Sequence, residues 1–375
     1  MRWQHSARLE YQRKVNKFVH GGNLREAIDK YNVSGSKIID FSSNINPLGI
    51  PQDIKSLIKK EFDELVQHYP DPEYKLLTQT LSETLNVGTE NLLPGNGSNE
   101  LIYLLVNMLA PKKVLIPVPA YSEYERASAS INSKCEFLNF MTGDGFDFRV
   151  DEVLKKCDEG LDAIFICNPN NPTGLLVQKE EIEYLVKKCD TKSVFVAIDE
   201  AFIDFVEESE KFTLIKLAVK SKNVAVLRSL TKFFAIPGLR LGYLVSNSKL
   251  VEKLSKRQPI WSVNNMVQYL GVKLLKNYDF SKKTREYILK ERKRFTKELG
   301  CINWLKPYKS SANFILCKIK ECRITSNELC RYCIGSSGIL VRDCSNFRGL
   351  GNSFIRIAVK TRVENEKLVD CFKNF

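Results

Sequence analysis

Between residues 113 and 246 the chain repeatedly spells short segments that are apolar at almost every position: KVLIPV at 113–118, DAIFIC at 162–167, SVFVAID at 193–199, NVAVLRSL at 223–230 and LRLGYLVS at 239–246. A strand with one wet face alternates polar and apolar residues. A strand that is apolar throughout has to be covered on both faces, which is the situation of a mostly parallel sheet buried between two layers of helices. Helical patterns fall before and between these segments, among them ELIYLLVNMLA, YSEYERASASI and KEEIEYLVKKC, and CEFLNF at 135–140 reads as a further strand. The expectation is an α/β fold with a mostly parallel central sheet flanked by helices.

The rest of the chain reads differently. Before 51 there is an arm, with a helical piece near REAIDKYN and the segment IIDFSSNINPLGIP running from a short strand into a loop. QDIKSLIKKEFDELVQHYP has apolar residues at the 3.6-residue period and stops at Pro70. PGNGSNE at 94–100 reads as a loop leading into a helix. After the charged helix SKKTREYILKERKRFTKELG, the segments ANFILCKI, GILVRDC and SFIRIAVK read as strands of a smaller α+β unit packed with the N-terminal arm. The expected division is 1–50 as arm and part of the small domain, 51–265 as the large cofactor-binding domain, and 266–375 as the C-terminal small domain.

Lys and Arg exceed Asp and Glu by 57 − 44 = +13, which suits anionic partners. The basic residues are spread out rather than blocked, so nucleic acid is not the expected partner. The most apolar stretch, LIYLLVNMLA, is too short to cross a membrane. The N-terminal MRWQHSARLEYQRK has no apolar core of a secretory signal, so a cytoplasmic protein without disulfides is expected. Of the eleven cysteines, Cys330 and Cys333 have metal-like spacing, but Cys322 and Cys344 are badly placed to complete a site, and no metal is expected.

Three strand segments end in polar clusters: Asn168-Pro-Asn-Asn171-Pro-Thr-Gly174, Asp199-Glu200-Ala-Phe202 and Ser229-Leu-Thr-Lys232. In an open parallel sheet the carboxyl ends of the strands share one crevice, where ligands sit. Asp199 follows an apolar run, where a carboxylate needs a cationic or protonated partner. Lys232 has a primary amine among apolar residues, a setting that makes it a nucleophile toward carbonyls. Arg240 offers a fork for phosphate, and Gly95-Asn-Gly97-Ser98-Asn99 exposes backbone N–H groups where a helix begins. Singly, these are ordinary caps, turns and surface residues. Together they suit pyridoxal phosphate, which needs a lysine for its aldehyde, an acid for its ring nitrogen and a cradle for its phosphate. Tyr121 could lie on the ring and Asn171 could hold its hydroxyl.

The stretches GNGSNE, PVPAYSEY, NPNNPTG, DEAF, SLTKFFAIPGLRLGY and FIRIAVK resemble the fold-type I aminotransferase family of pyridoxal-phosphate enzymes over nearly the whole chain. The resemblance implies that Lys232 is the Schiff-base lysine, Asp199 the partner of the ring nitrogen, Asn171 a contact of the ring oxygen and Tyr121 the stacking residue. It implies that Gly97, Ser98, Asn99, Ser229 and Arg240 hold the cofactor phosphate, and that Tyr69 of HYPDPEY reaches the cofactor phosphate across a homodimer interface. Arg356 would clamp the substrate carboxylate. Phe202 departs from the family pattern, which often has tyrosine there. HGGN at 20–23, IDFSSNINPLG at 39–49, DEAFIDF at 199–205 and VRDCSNFRGLGNSFIRIAVKTR at 341–362 are similar to the threonine-phosphate decarboxylase branch. This implies decarboxylation of L-threonine O-3-phosphate for the cobalamin nucleotide loop, with Arg342 on the substrate phosphate, His20, Gly21 and Asn23 closing the pocket, and Asn44 and Asn313 nearby. Histidinol-phosphate aminotransferase and L-serine O-phosphate decarboxylase remain as alternatives.

Overall fold

The apolar segments pair side by side. The computed structural model describes residues 21–31, 33, 38–143, 145–320 and 324–375. Seven strands, β1 (Leu92–Gly95), β2 (Lys113–Val118), β3 (Lys134–Asn139), β4 (Ala163–Cys167), β5 (Phe195–Asp199), β6 (Val224–Ser229) and β7 (Gly242–Val245), form one sheet in the order β1-β7-β6-β5-β4-β2-β3. All pairings from β3 across to β6 are parallel, and β7 runs antiparallel to both β6 and β1. Residues of β4, β5, β6 and β7 are buried throughout, as their composition requires. The sequence does not announce β1. Pro94 reads as a breaker there, yet an edge strand tolerates it, and Pro94 sits opposite Tyr243.

Successive side chains of these strands point to opposite faces, so the core divides in two. Ala163, Phe165 and Cys167 face the helices Gly97–Leu109, Glu123–Ser130 and Ser248–Ser255. Ile164 and Ile166 belong to the larger cluster on the other side, which continues into a second sheet. Each fully buried Val, Ile or Leu side chain is worth about 1.5–3 kcal/mol in transfer from water.

The second sheet has four antiparallel strands, β8 (Leu305–Pro307), β9 (Phe314–Ile319), β10 (Arg342–Asp343) and β11 (Phe354–Ala358), in the order β8-β9-β11-β10. The segment GILVRDC, read above as one strand, serves two partners. Ile339–Leu340 pairs in parallel with Ile39–Asp40. The chain then crosses at Val341 and pairs with β11 through Arg342–Asp343. Cys330 and Cys333 are buried in the helix Ser326–Ser337, where the Cys330 thiol reaches the Val341 carbonyl at 3.5 Å. Cys322 lies outside the described residues. Among the described residues no three His, Cys, Asp or Glu side chains gather as metal ligands, and no helix is long and apolar enough to cross a membrane.

Candidate active site

Sheet register brings the polar strand ends to one edge. Cys167, Asp199 and Leu227 stand level across β4, β5 and β6. Two residues further on, Ser229, Gly242 and Gly95 stand level across β6, β7 and β1. The clusters that follow Cys167, Asp199 and Ser229 therefore open into the same crevice.

Lys232 sits in a four-residue helix, Leu230–Phe233, that starts directly after β6 with Ser229 as its N-cap residue. Its Nζ donates to Ser229 Oγ at 3.0 Å and stands 5.8 Å from the centroid of the Phe202 ring. Burial pulls its pKa down from 10.5 to about 8, against the opposing pull of Asp199; Arg240 lowers it further. Near pH 8 a large share of this amine is therefore neutral and nucleophilic.

Asp199 is only 3% exposed. One carboxylate oxygen accepts from the Tyr124 hydroxyl at 2.6 Å, the other from the Ala201 N–H at 2.9 Å. Burial pushes the carboxyl above its ordinary value, while the Tyr124 hydrogen bond and Lys232 work to keep it ionised. Tyr124 is itself fully buried and stacks on Phe165, ring centroids 5.0 Å apart. The sequence reading missed Tyr124. A second tyrosine in PVPAYSEY, at the start of the helix Glu123–Ser130, carries no local mark that separates a core tyrosine from one that holds a carboxylate. Tyr121 lies edge-on to Tyr124 at 5.7 Å, and burial raises the phenol's pKa.

Gly97, with φ of +76°, opens the helix Gly97–Leu109, and Ser98 is buried beside it. A Cβ on Gly97 would lie 2.6 Å from Arg240 Nη2, so the guanidinium packs directly on this glycine. A Cβ on Gly242 would lie 2.4 Å from the Ser98 nitrogen. Arg240 itself holds φ of +62°, a sparsely populated setting for a non-glycine residue and one that clusters at functional sites. Ser229 Oγ meets Thr231 Oγ1 at 2.8 Å, which adds Thr231 to the same group. Asn99 stands in the first turn, with its Oδ1 buried and unpaired.

A cavity of about 670 Å³ lies between the two sheets. Tyr121, Asn171, Phe202, Lys232, Arg342, Arg356, Asn44 and Gly21 line it. Arg342 and Arg356 are cross-strand partners on β10 and β11, and both are buried. Like charges directly opposite on a sheet repel, so the arrangement favours an anion between them. Arg356 donates to Asn171 Oδ1 and, at 2.8 Å, to the Ser42 carbonyl, both neutral acceptors, and its Nε has no partner. Burial pulls its pKa down to about 10, still charged at neutral pH. Arg342 donates to Asn346 Oδ1 at 2.8 Å.

The other expected residues are scattered more widely. Asn313 is buried and donates to the Asn44 carbonyl at 3.0 Å; Oδ1 of each asparagine is buried without a partner. A Cβ on Gly21 would lie 2.2 Å from the Ser42 carbonyl oxygen. Asn23 turns away and caps the helix Leu24–Tyr31 through Glu26. Tyr69 is 78% exposed and stacked on Trp261 at 4.4 Å, away from the cavity of this single chain. Phe202 meets Phe314 edge-on at 5.0 Å. His20 lies outside the described residues.

Residues 36–372 match the model of the aminotransferase class I and II family. The chain belongs to that family. A threonine-phosphate decarboxylase of Salmonella typhimurium is 34% identical over 95% of this chain and 96% of its own. The crystal structure of a histidinol-phosphate aminotransferase from Clostridium acetobutylicum is 32% identical, with a TM-score of 0.82 over 89% of this chain and 98% of that one. A decarboxylase structure from Sulfurospirillum multivorans is 25% identical, with a TM-score of 0.86 over 99% of this chain and 97% of that one. The fold is that of the fold-type I pyridoxal-phosphate enzymes, a large mixed sheet flanked by helices plus a smaller domain, and pyridoxal phosphate is the cofactor of this family member. The residues present fit that group. A buried carboxylate with a hydroxyl aimed at it, an amine with a lowered pKa, and a glycine-lined helix start under an arginine are the three fittings it requires.

Proposed function

We propose that this pyridoxal-phosphate enzyme acts on a small phosphorylated substrate, decarboxylating L-threonine O-3-phosphate to (R)-1-aminopropan-2-yl phosphate and CO2, a precursor of the cobalamin nucleotide loop. The observation that carries the reading is the buried cross-strand pair Arg342 and Arg356 in one cavity with Lys232. Such a pair suits a molecule with two anionic ends and an amine between them. The similarity to the Salmonella decarboxylase over nearly the whole chain favours carboxyl loss over amino transfer.

When bound, pyridoxal phosphate supplies an electron sink for whichever Cα bond stands perpendicular to its ring. In this reading Lys232 would be the amine that holds the cofactor's aldehyde and, once the substrate amine has taken its place, the group that carries a proton to Cα. Asp199, whose ionised form the Tyr124 hydroxyl favours against burial, would face the ring nitrogen and keep a proton on it. Asn171 holds the ring oxygen and Tyr121 covers the ring. Gly97, Ser98, Asn99, Ser229 and Arg240 hold the cofactor phosphate. Arg356 orients the substrate carboxylate and Arg342 its phosphate, and such orientation decides productive geometry. Gly21, Asn44 and Asn313 shape the walls. Residues 51–265 carry the cofactor, and 266–375 carry the two substrate-facing arginines, Arg342 and Arg356. The exposed Tyr69–Trp261 stack is the surface that would meet a second copy.

The test is to give purified protein and cofactor L-threonine O-3-phosphate with no keto acid. Release of CO2 and the amino-alcohol phosphate is expected. Turnover that demands 2-oxoglutarate would replace this reading with amino transfer, which the Clostridium similarity supports. A parallel incubation with L-serine O-phosphate compares the two decarboxylation substrates.

A further inference from the structure

The segment after β10 brings a third arginine to the cavity wall. Arg348 Nη2 donates to Glu125 Oε1 at 2.9 Å, and its guanidinium lies 3.8 Å from the centroid of the Phe137 ring. Glu125 belongs to the helix Glu123–Ser130 and Phe137 to β3, so this contact joins the C-terminal unit to the far edge of the large sheet. Gly349, with φ of +86°, seats the turn: a Cβ there would lie 3.2 Å from Asn139 Oδ1. Arg342 stands 5.2 Å from the Phe347 ring, so Arg342, Phe347 and Arg348 make one wall.

Among the described residues, the charged side chains lining the cavity are Asp40, Glu125, Lys232, Arg342, Arg348 and Arg356. Asp40 is engaged locally by Ser42 and Ser43. A phosphorylated amino acid brings a carboxylate of about −1 and a phosphate of about −1.5 to −2. Arg356 and Arg342 together supply only two positive charges, which leaves the phosphate end short. Arg348 supplies the third, but with no substrate its charge is answered by Glu125. That ion pair is half-exposed, with 42% and 20% of the two side chains open to solvent, and such pairs are weak enough to exchange.

We propose that Arg348 is a specificity-determining residue that receives the substrate phosphate together with Arg342, and that Glu125 is the anion the phosphate displaces. This rests on the phosphorylated-substrate reading and adds the residue pair that selects the doubly charged end. A neutral side-chain end would leave the Arg348–Glu125 pair closed and gain nothing from it.

The test measures calorimetric binding of 1-aminopropan-2-yl phosphate and of 1-amino-2-propanol to the holoenzyme, in the parent, Arg348→Ala, Arg348→Lys and Glu125→Gln. The ratio of the two affinities is the readout. Arg348→Ala is expected to cut that ratio by about 10- to 100-fold, the loss of one charge-assisted contact. Arg348→Lys should restore part of it, and Glu125→Gln should raise it several-fold. An unchanged ratio in Arg348→Ala, or a lowered one in Glu125→Gln, overturns the proposal. If the parent itself does not prefer the phosphorylated amine, the phosphorylated-substrate reading falls as well; a parent that does prefer it, with variants that match it, defeats the Arg348 assignment alone.

Discussion

At the scale of single residues, the proposed chemistry rests on two ionisable groups that burial pushes toward their neutral forms, Lys232 downward and Asp199 upward. For Lys232 the folded value of about 8 lies below the ordinary 10.5. The unfolded chain then binds more protons between those values, so the cofactor-free protein gains stability as pH rises through that window. Lys232→Met removes the buried charge. We expect it to melt at a higher temperature than the parent at pH 7, with the difference closing toward pH 10, as followed by calorimetry of the cofactor-free proteins. The same variant should bind pyridoxal phosphate without the visible absorbance of the lysine-linked cofactor and show no turnover. For Asp199 the relevant partner is Tyr124. Tyr124→Phe deletes a hydrogen bond to a charged acceptor, a contact worth about 1.5–3 kcal/mol. The carboxyl pKa then rises further, so the acid limb of the pH–rate profile should move to higher pH and cofactor affinity at pH 6 should fall about 10-fold or more, measured by absorbance titration. Lys232 and Asp199 could be picked out of the sequence because a charge abutting an apolar run is costly and so needs a reason. Tyr124 could not, because a tyrosine at a helix start looks the same whether it packs in a core or holds a carboxylate.

At the scale of elements, the proposed anion cradle depends on backbone shape more than on side chains. Gly97→Ala would place a Cβ 2.6 Å from Arg240 Nη2 at a φ of +76°. Either the guanidinium moves or the helix start does. The predicted result is a holoenzyme that loses cofactor on dialysis, with phosphate-site affinity weakened about 10-fold or more, while far-ultraviolet circular dichroism stays close to that of the parent. The GNGS stretch was readable as a helix start, but β1 immediately before it was not. Its four residues include Pro94, and only its place at the sheet edge makes that proline harmless. In the same way, nothing local tells that GILVRDC divides its pairing between Ile39–Asp40 and β11. Edge position and partner choice are properties of the assembled sheets. The fully apolar central strands, by contrast, carry their burial in their own composition.

At the scale of the whole molecule, the cavity exists because three distant segments close on one guanidinium. Arg356 on β11 ties the Asn171 loop of the large sheet to the Ser42 carbonyl of the N-terminal segment, residues 185 and 314 positions away in sequence. Contacts of that separation leave no local pattern, so sequence alone could nominate Arg356 only through its resemblance to a family, whereas the strand-end clusters declared themselves through the parallel register that levels them. The double duty of Arg356, holding the fold and facing the cavity, separates two effects in one variant. Arg356→Lys keeps the charge but cannot span both acceptors with a planar fork. Losing one or two hydrogen bonds of about 1 kcal/mol each should lower the melting temperature of the holoenzyme by about 1–3 °C, the shift expected for a chain of 375 residues. Losing the fork at the carboxylate should raise KM for L-threonine O-3-phosphate by about 10- to 100-fold, because a misplaced carboxylate also misaligns the bond to be broken. Calorimetry and steady-state kinetics on the same preparation check both numbers. If the melting point falls while KM and kcat hold, Arg356 braces the cavity without touching the substrate, and the carboxylate anchor must be sought elsewhere on its walls.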